Sequence, residues 1–129
     1  MTALRKIGGD KSGSAAIEFV VAAPVLVSML WGIFQFAILL QANAGMHHAL
    51  GEGARLATVW PTPSTTAIQA KITSAKFGLG NGTWATPVIT TPAAGTMQID
   101  VSYQQPLDFL FFDGPTVTLA ASKTVYLAS

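Results

Sequence analysis

The chain has 129 residues, of which 50% are hydrophobic and only 10% are charged, and its net charge at pH 7 is +1. Soluble globular domains carry about 25% charged residues, so this composition is typical of a membrane segment joined to a modest polar domain. The nearly balanced charge argues against a nucleic-acid-binding surface, and the lack of cysteine excludes disulfides and thiolate metal sites.

The N-terminal part of the chain predicts a polar leader followed by a membrane-spanning helix. Residues 1–13 are polar and too short to fold, and Arg5, Lys6 and Lys11 outweigh a single acidic residue there. From Phe19 to Leu40 no residue is charged, and this apolar run exceeds the roughly 20 residues needed to cross the hydrocarbon core. Because basic residues mark the cytoplasmic flank, we expect the rest of the chain on the far side of the membrane.

The helical pattern continues beyond the apolar run, over residues 14–58. Pro24 interrupts it inside the run, where a missing N–H and a ring clash favour a kink. Such a helix would be about 67 Å long, about twice the thickness of the bilayer core, so its second half must project from the membrane. It ends at the prolines of residues 60–63, since proline disfavours helix at the preceding residue.

Residues 59–129 predict a small α+β domain on this projecting helix. Ser64 or Thr65 offers an N-cap for a short helix near residues 67–77. Alternating apolar and polar residues predict about three antiparallel strands, near residues 88–91, 97–103 and 117–127, with Lys123 interrupting the apolar face of the last. The fold class is therefore α+β: one long helix, one short helix and a small antiparallel sheet.

Phe109–Phe112 is the strongest apolar cluster outside the apolar run. We expect it in the core of the domain. The alternative is an exposed patch that contacts a partner or the bilayer surface.

No residues in the sequence combine into a catalytic or metal site. His47 and His48 diverge by about 100° on a helix and cannot share a metal comfortably. Asn81-Gly82-Thr83 matches a glycosylation acceptor, although Asn-Gly is more simply a turn. We therefore expect no enzyme activity, no metal or cofactor, no small-molecule substrate and no nucleic-acid partner.

Glu18 is an acidic residue at the entrance of the apolar run. A carboxylate near the bilayer interior costs several kcal/mol and normally has a partner. It either marks the membrane boundary or pairs with a positive group on another chain. A cut between Gly13 and Ser14 would create an α-amino group one helical turn from Glu18.

The segment Gly13-Ser-Ala-Ala-Ile-Glu18-Phe, followed by an apolar helix with Pro24, resembles a type IV prepilin processing site. In that family a membrane peptidase cuts after the glycine, and a glutamate is fifth in the mature chain, as Glu18 is when Ser14 is first. Together with HHALGEGARLATV on the projecting helix, this segment resembles the TadE-like minor pseudopilins of tight-adherence (Tad/Flp) pilus systems.

This resemblance implies a minor pilus subunit and a set of partners. These are the prepilin peptidase, other pilins or pseudopilins, the membrane assembly platform and the lipid bilayer. The N-terminus would be cytoplasmic and the C-terminal domain periplasmic, with the extracellular pilus as a destination after assembly. Two alternatives stay open: an unprocessed single-pass binding or sensor domain, and a soluble domain secreted after cleavage at Ala42-Asn43-Ala44.

Small residues recur at every fourth position of the projecting helix, at Gly45, Ala49, Gly53 and Ala57. This small-residue face lets another backbone approach closely. Glycine inside an exposed helix costs about 1 kcal/mol relative to alanine, so packing should offset that cost. We expect the sheet of the same chain to cover this face, with a neighbouring pilin as the alternative.

Overall fold

The computed structural model describes residues 11–127, and the long helix α1 (Lys11–Ala57) is its first element. The predicted leader therefore lies mostly outside the described residues, and its last residues are already helical. The helix continues through Pro24, whose carbonyl accepts a hydrogen bond from the Ser28 hydroxyl at 2.7 Å. Its end at Ala57 agrees with the predicted stop before Pro61.

A second helix, α2 (Thr65–Ala75), lies against α1. Ser64 caps its N-terminus, because the Ser64 side chain accepts a hydrogen bond from the Ala67 N–H at 3.2 Å. Ile68 and Ile72 recur at helical spacing and are both fully buried. The short helix predicted near residues 67–77 is therefore present, shifted by two residues toward the N-terminus.

Four antiparallel strands form one sheet around the long strand β3 (Thr96–Phe109). The strand β4 (Phe112–Tyr126) pairs with β3 along one edge, from Thr96 opposite Tyr126 to Phe109 opposite Phe112. Two short strands, β1 (Thr83–Trp84) and β2 (Val88–Thr90), pair with the other edge of β3. The predicted α+β fold class is confirmed, with four strands where about three were expected; the additional β1 has only two residues.

The core lies between the sheet, α2 and the second half of α1. The inner face of β3 alternates as predicted, with apolar residues buried and their polar neighbours partly exposed. Lys123 is exposed at the point where the apolar face of β4 is interrupted. The buried hydrophobic residues of the described chain begin at position 42: Ala42, Met46, Ala49, Leu50, Ala54, Ala57, Ile68, Ile72, Met97, Ile99, Val101, Tyr103 and Val125.

A polar network sits at the end of this core and satisfies two buried side chains, Tyr103 and Gln105. The Tyr103 hydroxyl donates to Gln105 Oε1 at 2.7 Å and accepts from the Gly82 N–H at 3.0 Å. Gln105 Nε2 donates to Asn81 Oδ1 at 2.9 Å. Since buried polar groups are costly without partners, this network ties the loop before β1 to the middle of β3.

Candidate functional site

The predicted processing site lies in the first turns of α1. Gly13 and Ser14 are both exposed. A Cβ atom added at Gly13 would meet no atom within 4 Å. Packing within the described chain therefore does not require glycine at this position.

Glu18 is exposed on α1 between the apolar side chains of Ile17 and Phe19, which are also exposed. Within the described residues, neither of the two ion pairs involves the Glu18 carboxylate, since both are formed by Glu52.

The first half of α1 presents an apolar surface to its surroundings. Within residues 11–127, α1 is the one helix long and apolar enough to cross a membrane, by length and composition. Its exposed large hydrophobic residues are Ile17, Phe19, Val20, Val21, Val25, Leu26, Val27, Met29, Leu30, Trp31, Ile33, Phe34, Phe36 and Leu40. A helix of this kind has the character of a membrane anchor.

The small-residue face of the second half of α1 is buried, and α2 and the loop after it cover its two glycines. A Cβ atom added at Gly45 would lie 1.8 Å from the Phe77 carbonyl oxygen, and one at Gly53 would lie 2.2 Å from Ile72 Cγ1. Ala49 and Ala57 are fully buried. The expectation that the sheet covers this face was wrong at its two glycines. Phe77 packs on Gly45, and Ile72 of α2 packs on Gly53.

The loop after α2 can approach α1 closely because of Gly78. Gly78 has a φ of 65°, in the left-handed region that favours glycine, and a Cβ atom there would lie 2.7 Å from Gln41 Cγ. Next to it, the Phe77 ring meets the His48 ring edge-on at 5.3 Å between centroids. The backbone of Phe77 and Gly78 thus crosses directly over the helix.

Two ion pairs centred on Glu52 link α1 and α2 on the solvent side. Glu52 Oε2 lies 3.2 Å from Arg55 Nη2 and 3.5 Å from Lys71 Nζ. The hydrogen bond from Arg55 and the charges of Arg55 and Lys71 hold the pKa of the Glu52 carboxyl below its ordinary range. Arg55 lies three residues after Glu52 on the same helix, whereas the pair with Lys71 depends on how α2 docks.

The β3–β4 hairpin reaches back along α1 into the apolar run. The Asp108 carbonyl oxygen accepts a hydrogen bond from Trp31 Nε1 at 2.7 Å and another from the Gln35 amide. Asn81 Nδ2 donates to the Asp108 carboxylate at 3.3 Å, which connects this contact to the network around Gln105. The sequence did not predict this contact. The two hydrogen-bond donors Trp31 and Gln35, one helical turn apart in an otherwise apolar run, were the feature that could have indicated it.

The hairpin tip, Phe109–Phe112, is not part of the core. Leu110 and Phe111 form the turn, and Leu110, Phe111 and Phe112 are exposed. The Phe109 and Phe112 rings stack at 5.0 Å between centroids. The expectation that this cluster lies in the core was therefore wrong, because the two strands extend beyond the end of the core.

The remaining candidates for chemistry stay separate in the fold. His47 and His48 are exposed on α1. In the part of the chain that the structure describes, no three histidine, cysteine, aspartate or glutamate residues group in a way that could hold a metal ion. The Asn81 amide is occupied by its hydrogen bonds to Asp108 and Gln105.

A family model described as "TadE-like protein" matches residues 13–55. Searches of curated proteins and of solved structures returned no match. The matched segment begins at the glycine of the predicted processing site and includes Glu18, the apolar run and most of the small-residue face. The predicted resemblance is thereby confirmed for this segment: residues 13–55, about a third of the chain, are similar to the TadE-like family.

Proposed function

We propose that this chain is a minor pilin-like subunit that a prepilin peptidase cuts after Gly13 and that takes part in assembling a Tad-type pilus. The observation that carries the proposal is the family match, which begins at residue 13. The proposed role is structural and depends on the surfaces of the chain.

The distribution of buried residues divides α1 into two parts with different surroundings. Before Ala42 the helix contributes exposed apolar side chains, and from Ala42 onward it contributes to the core. We therefore assign residues 14–58 to the membrane and projecting helix and residues 59–129 to the exported domain. We propose that the leader, residues 1–13, lies on the cytoplasmic side of the inner membrane and the domain in the periplasm, and the excess of basic residues Arg5, Lys6 and Lys11 supports this orientation.

Glu18 would act after processing, as the partner of a new α-amino group. Cleavage after Gly13 makes Ser14 the N-terminus, one helical turn from Glu18. Its exposed carboxylate has no role in the ion pairs of the described fold, which leaves it for the α-amino group of its own or a neighbouring chain. An opposite charge in a low-dielectric environment gives such a carboxylate a reason to lie just inside the cytoplasmic face of the membrane.

Other pilins or pseudopilins would pack on the apolar half of α1. The small-residue face is occupied within the chain by α2 and Phe77, so it is not free for a neighbouring subunit at Gly45 or Gly53. The apolar surface from Ile17 to Leu40 is the larger free surface of the helix. The part of this surface that lies in the membrane contacts lipid, and in a fibre the surface would contact the helices of neighbouring subunits.

Two other functions remain as alternatives: an unprocessed membrane-anchored binding domain and a secreted domain released after Ala44. The second is less well supported, because Ala42 lies fully buried in the core that release would cut. N-terminal sequencing of the membrane-extracted protein separates the three. Ser14 as first residue supports the pilin-like subunit, Met1 the unprocessed anchor, and Gly45 the secreted domain; the last two results would overturn the proposal.

A further inference from the structure

The hairpin tip is an exposed apolar surface with no partner within the domain. Phe111, at the turn, is 68% exposed. Tight turns normally favour glycine, asparagine, aspartate or proline, whereas this one is Leu110-Phe111 between two further phenylalanines. Four consecutive apolar residues at the end of a hairpin therefore need an apolar environment outside the chain.

The hairpin tip lies beside the apolar run of α1, at a defined height. Asp108, directly before the tip, is held by hydrogen bonds from Trp31 and Gln35. A Cβ atom added at Gly32 would lie 4.0 Å from Phe109 Cε1, so the Phe109 ring lies beside this glycine. The tip is thus level with the turn of α1 that contains Trp31 to Gln35.

This height corresponds to one surface of a bilayer that α1 crosses. From Ser14 to Trp31 a helix rises about 26 Å, close to the roughly 30 Å of the hydrocarbon core. Trp31 then lies at the level of the lipid headgroups, where tryptophan is enriched, and Gln35 lies above the hydrocarbon. A span reaching Leu40 would instead draw Gln35 and the open strand ends of the hairpin into hydrocarbon, where unpaired backbone groups are not tolerated.

The charges on the hairpin limit how far it can enter the bilayer. Asp108 and Asp113 are both exposed and face each other across the two strands, directly above the tip. Only Phe109–Phe112 can therefore leave water without burying a carboxylate. This arrangement fits shallow insertion between lipid headgroups.

We infer that the hairpin tip is a second membrane contact, embedded in the outer surface of the bilayer that α1 crosses, and that the membrane-spanning part of α1 ends near Trp31. The inference rests on the proposed membrane anchoring. Lipid is the favoured occupant because the tip adjoins the exposed apolar surface of α1 where that surface reaches Trp31, whose indole hydrogen-bonds to Asp108 directly before the tip. The contact would fix the orientation of the whole domain relative to the membrane.

The experiment uses spin labels on the full chain, which has no cysteine of its own. Three single-cysteine variants, F111C, V25C and Y126C, are labelled and reconstituted in phosphatidylcholine vesicles. The three positions are similarly exposed, at 68%, 66% and 78%. Tyr126 is the matched control, because it is an exposed aromatic residue at the opposite end of the same hairpin, beside the C-terminal end of α1.

Oxygen, which dissolves in lipid, and a water-soluble nickel chelate report where each label lies. We expect oxygen to broaden the spectra of the labels at positions 25 and 111 more than nickel does, and nickel to dominate at position 126. A label at position 111 that behaves like the one at 126, while the one at 25 is in lipid, overturns the inference and leaves the anchor intact. A label at position 25 in water overturns the anchor as well.

Contact of the tip with a second copy of the chain gives a different signal. Spin–spin broadening at position 111 that disappears on dilution with unlabelled protein would place the tip in an interface between subunits. That result would also overturn the assignment to lipid.

Discussion

Three glycines of α1 differ in whether packing within the chain requires the absence of a side chain. At Gly45 a Cβ atom would collide with the Phe77 carbonyl oxygen, whereas at Gly13 and Gly51 it would meet nothing within 4 Å. Glycine is unfavourable in a helix interior, so Gly45 is explained by packing and the other two are not. For Gly13 the proposed cleavage by a peptidase that needs a small residue would explain the glycine.

Replacing Gly13 with leucine should leave the precursor uncut. The side chain has room within the chain, so the Gly13→Leu protein should fold and insert normally while the peptidase fails to accept it. Mass spectrometry of the extracted protein would detect the retained residues 1–13. Gly51→Leu is the matched control, an equally open glycine of the same helix, and it should be cut normally. Normal cleavage of Gly13→Leu would refute the assigned site.

Replacing Glu18 with alanine should permit cleavage but weaken association with other pilus subunits. If the carboxylate pairs with an α-amino group in a low dielectric, removing it strands the other charge at a cost of about 3–5 kcal/mol. Crosslinking and co-purification measure association while cleavage is monitored in parallel. Glu52→Ala removes another carboxylate of α1, outside the apolar run, and should not change association. If Glu18→Ala also associates normally, Glu18 only marks the membrane boundary.

At the scale of the elements, the α1–α2 pair depends on close approach of two backbones. The small-residue face was visible in the sequence, because its four positions repeat at helical spacing. Its covering element was not, since nothing in the sequence of residues 65–77 distinguishes packing on α1 from packing on the sheet. Ile68 and Ile72 form the same apolar stripe in either case.

The alanine variants of Gly45 and Gly51 should change stability in opposite directions. Gly45→Ala forces the Phe77 backbone away from α1, and overpacking of this kind costs about 1–3 kcal/mol. Gly51→Ala meets no atom and should stabilise the helix by about 1 kcal/mol. Thermal and denaturant unfolding of the full chain in detergent would measure both. Equal effects of the two changes would mean that Phe77 does not pack on α1 at Gly45.

The ion pairs of Glu52 should make the α1–α2 pair sensitive to acid. The folded pKa of this carboxyl is lowered, chiefly by Arg55, so its stabilising effect is present above the ordinary pKa range of glutamate. The effect is lost as the pH falls through the lowered folded pKa. Unfolding measured across that pH range should show a smaller loss of stability for Glu52→Gln than for the unchanged chain. Identical pH profiles would indicate that solvent screens these pairs completely.

At the scale of the whole molecule, the sequence predicted the long helix, the short helix and both long strands, because each has a clear apolar period. It did not predict the two-residue β1, which is too short to have a period and exists only through pairing with Gln104 and Tyr103. It also placed Phe109–Phe112 in the core. Hydrophobicity alone does not indicate where a hairpin ends relative to a neighbouring helix, and the hydrogen bonds of Trp31 and Gln35 to Asp108 join residues far apart in the chain.

These contacts divide the molecule into two parts. The conformation of the hairpin tip depends on α1 residues before position 41, whereas the hydrophobic core does not. The buried hydrophobic residues of the described chain begin at Ala42, whereas the hairpin tip depends on Trp31 and Gln35. A chain of residues 41–129 should therefore keep its fold in water. Its hairpin tip should open more readily, because it loses two hydrogen bonds worth about 0.5–1.5 kcal/mol each.

Amide hydrogen exchange would measure both effects in one experiment on the chain of residues 41–129. We expect faster exchange near residues 107–113 than in the full chain in detergent, and unchanged protection at Ile99 and Val101 in the middle of β3. A chain of residues 29–129 in detergent is the control, because it retains Trp31 and Gln35 and should protect the tip as the full chain does. Loss of protection at Ile99 and Val101 in the shorter chain would contradict this division, since the membrane half of α1 would then be needed to hold the core together.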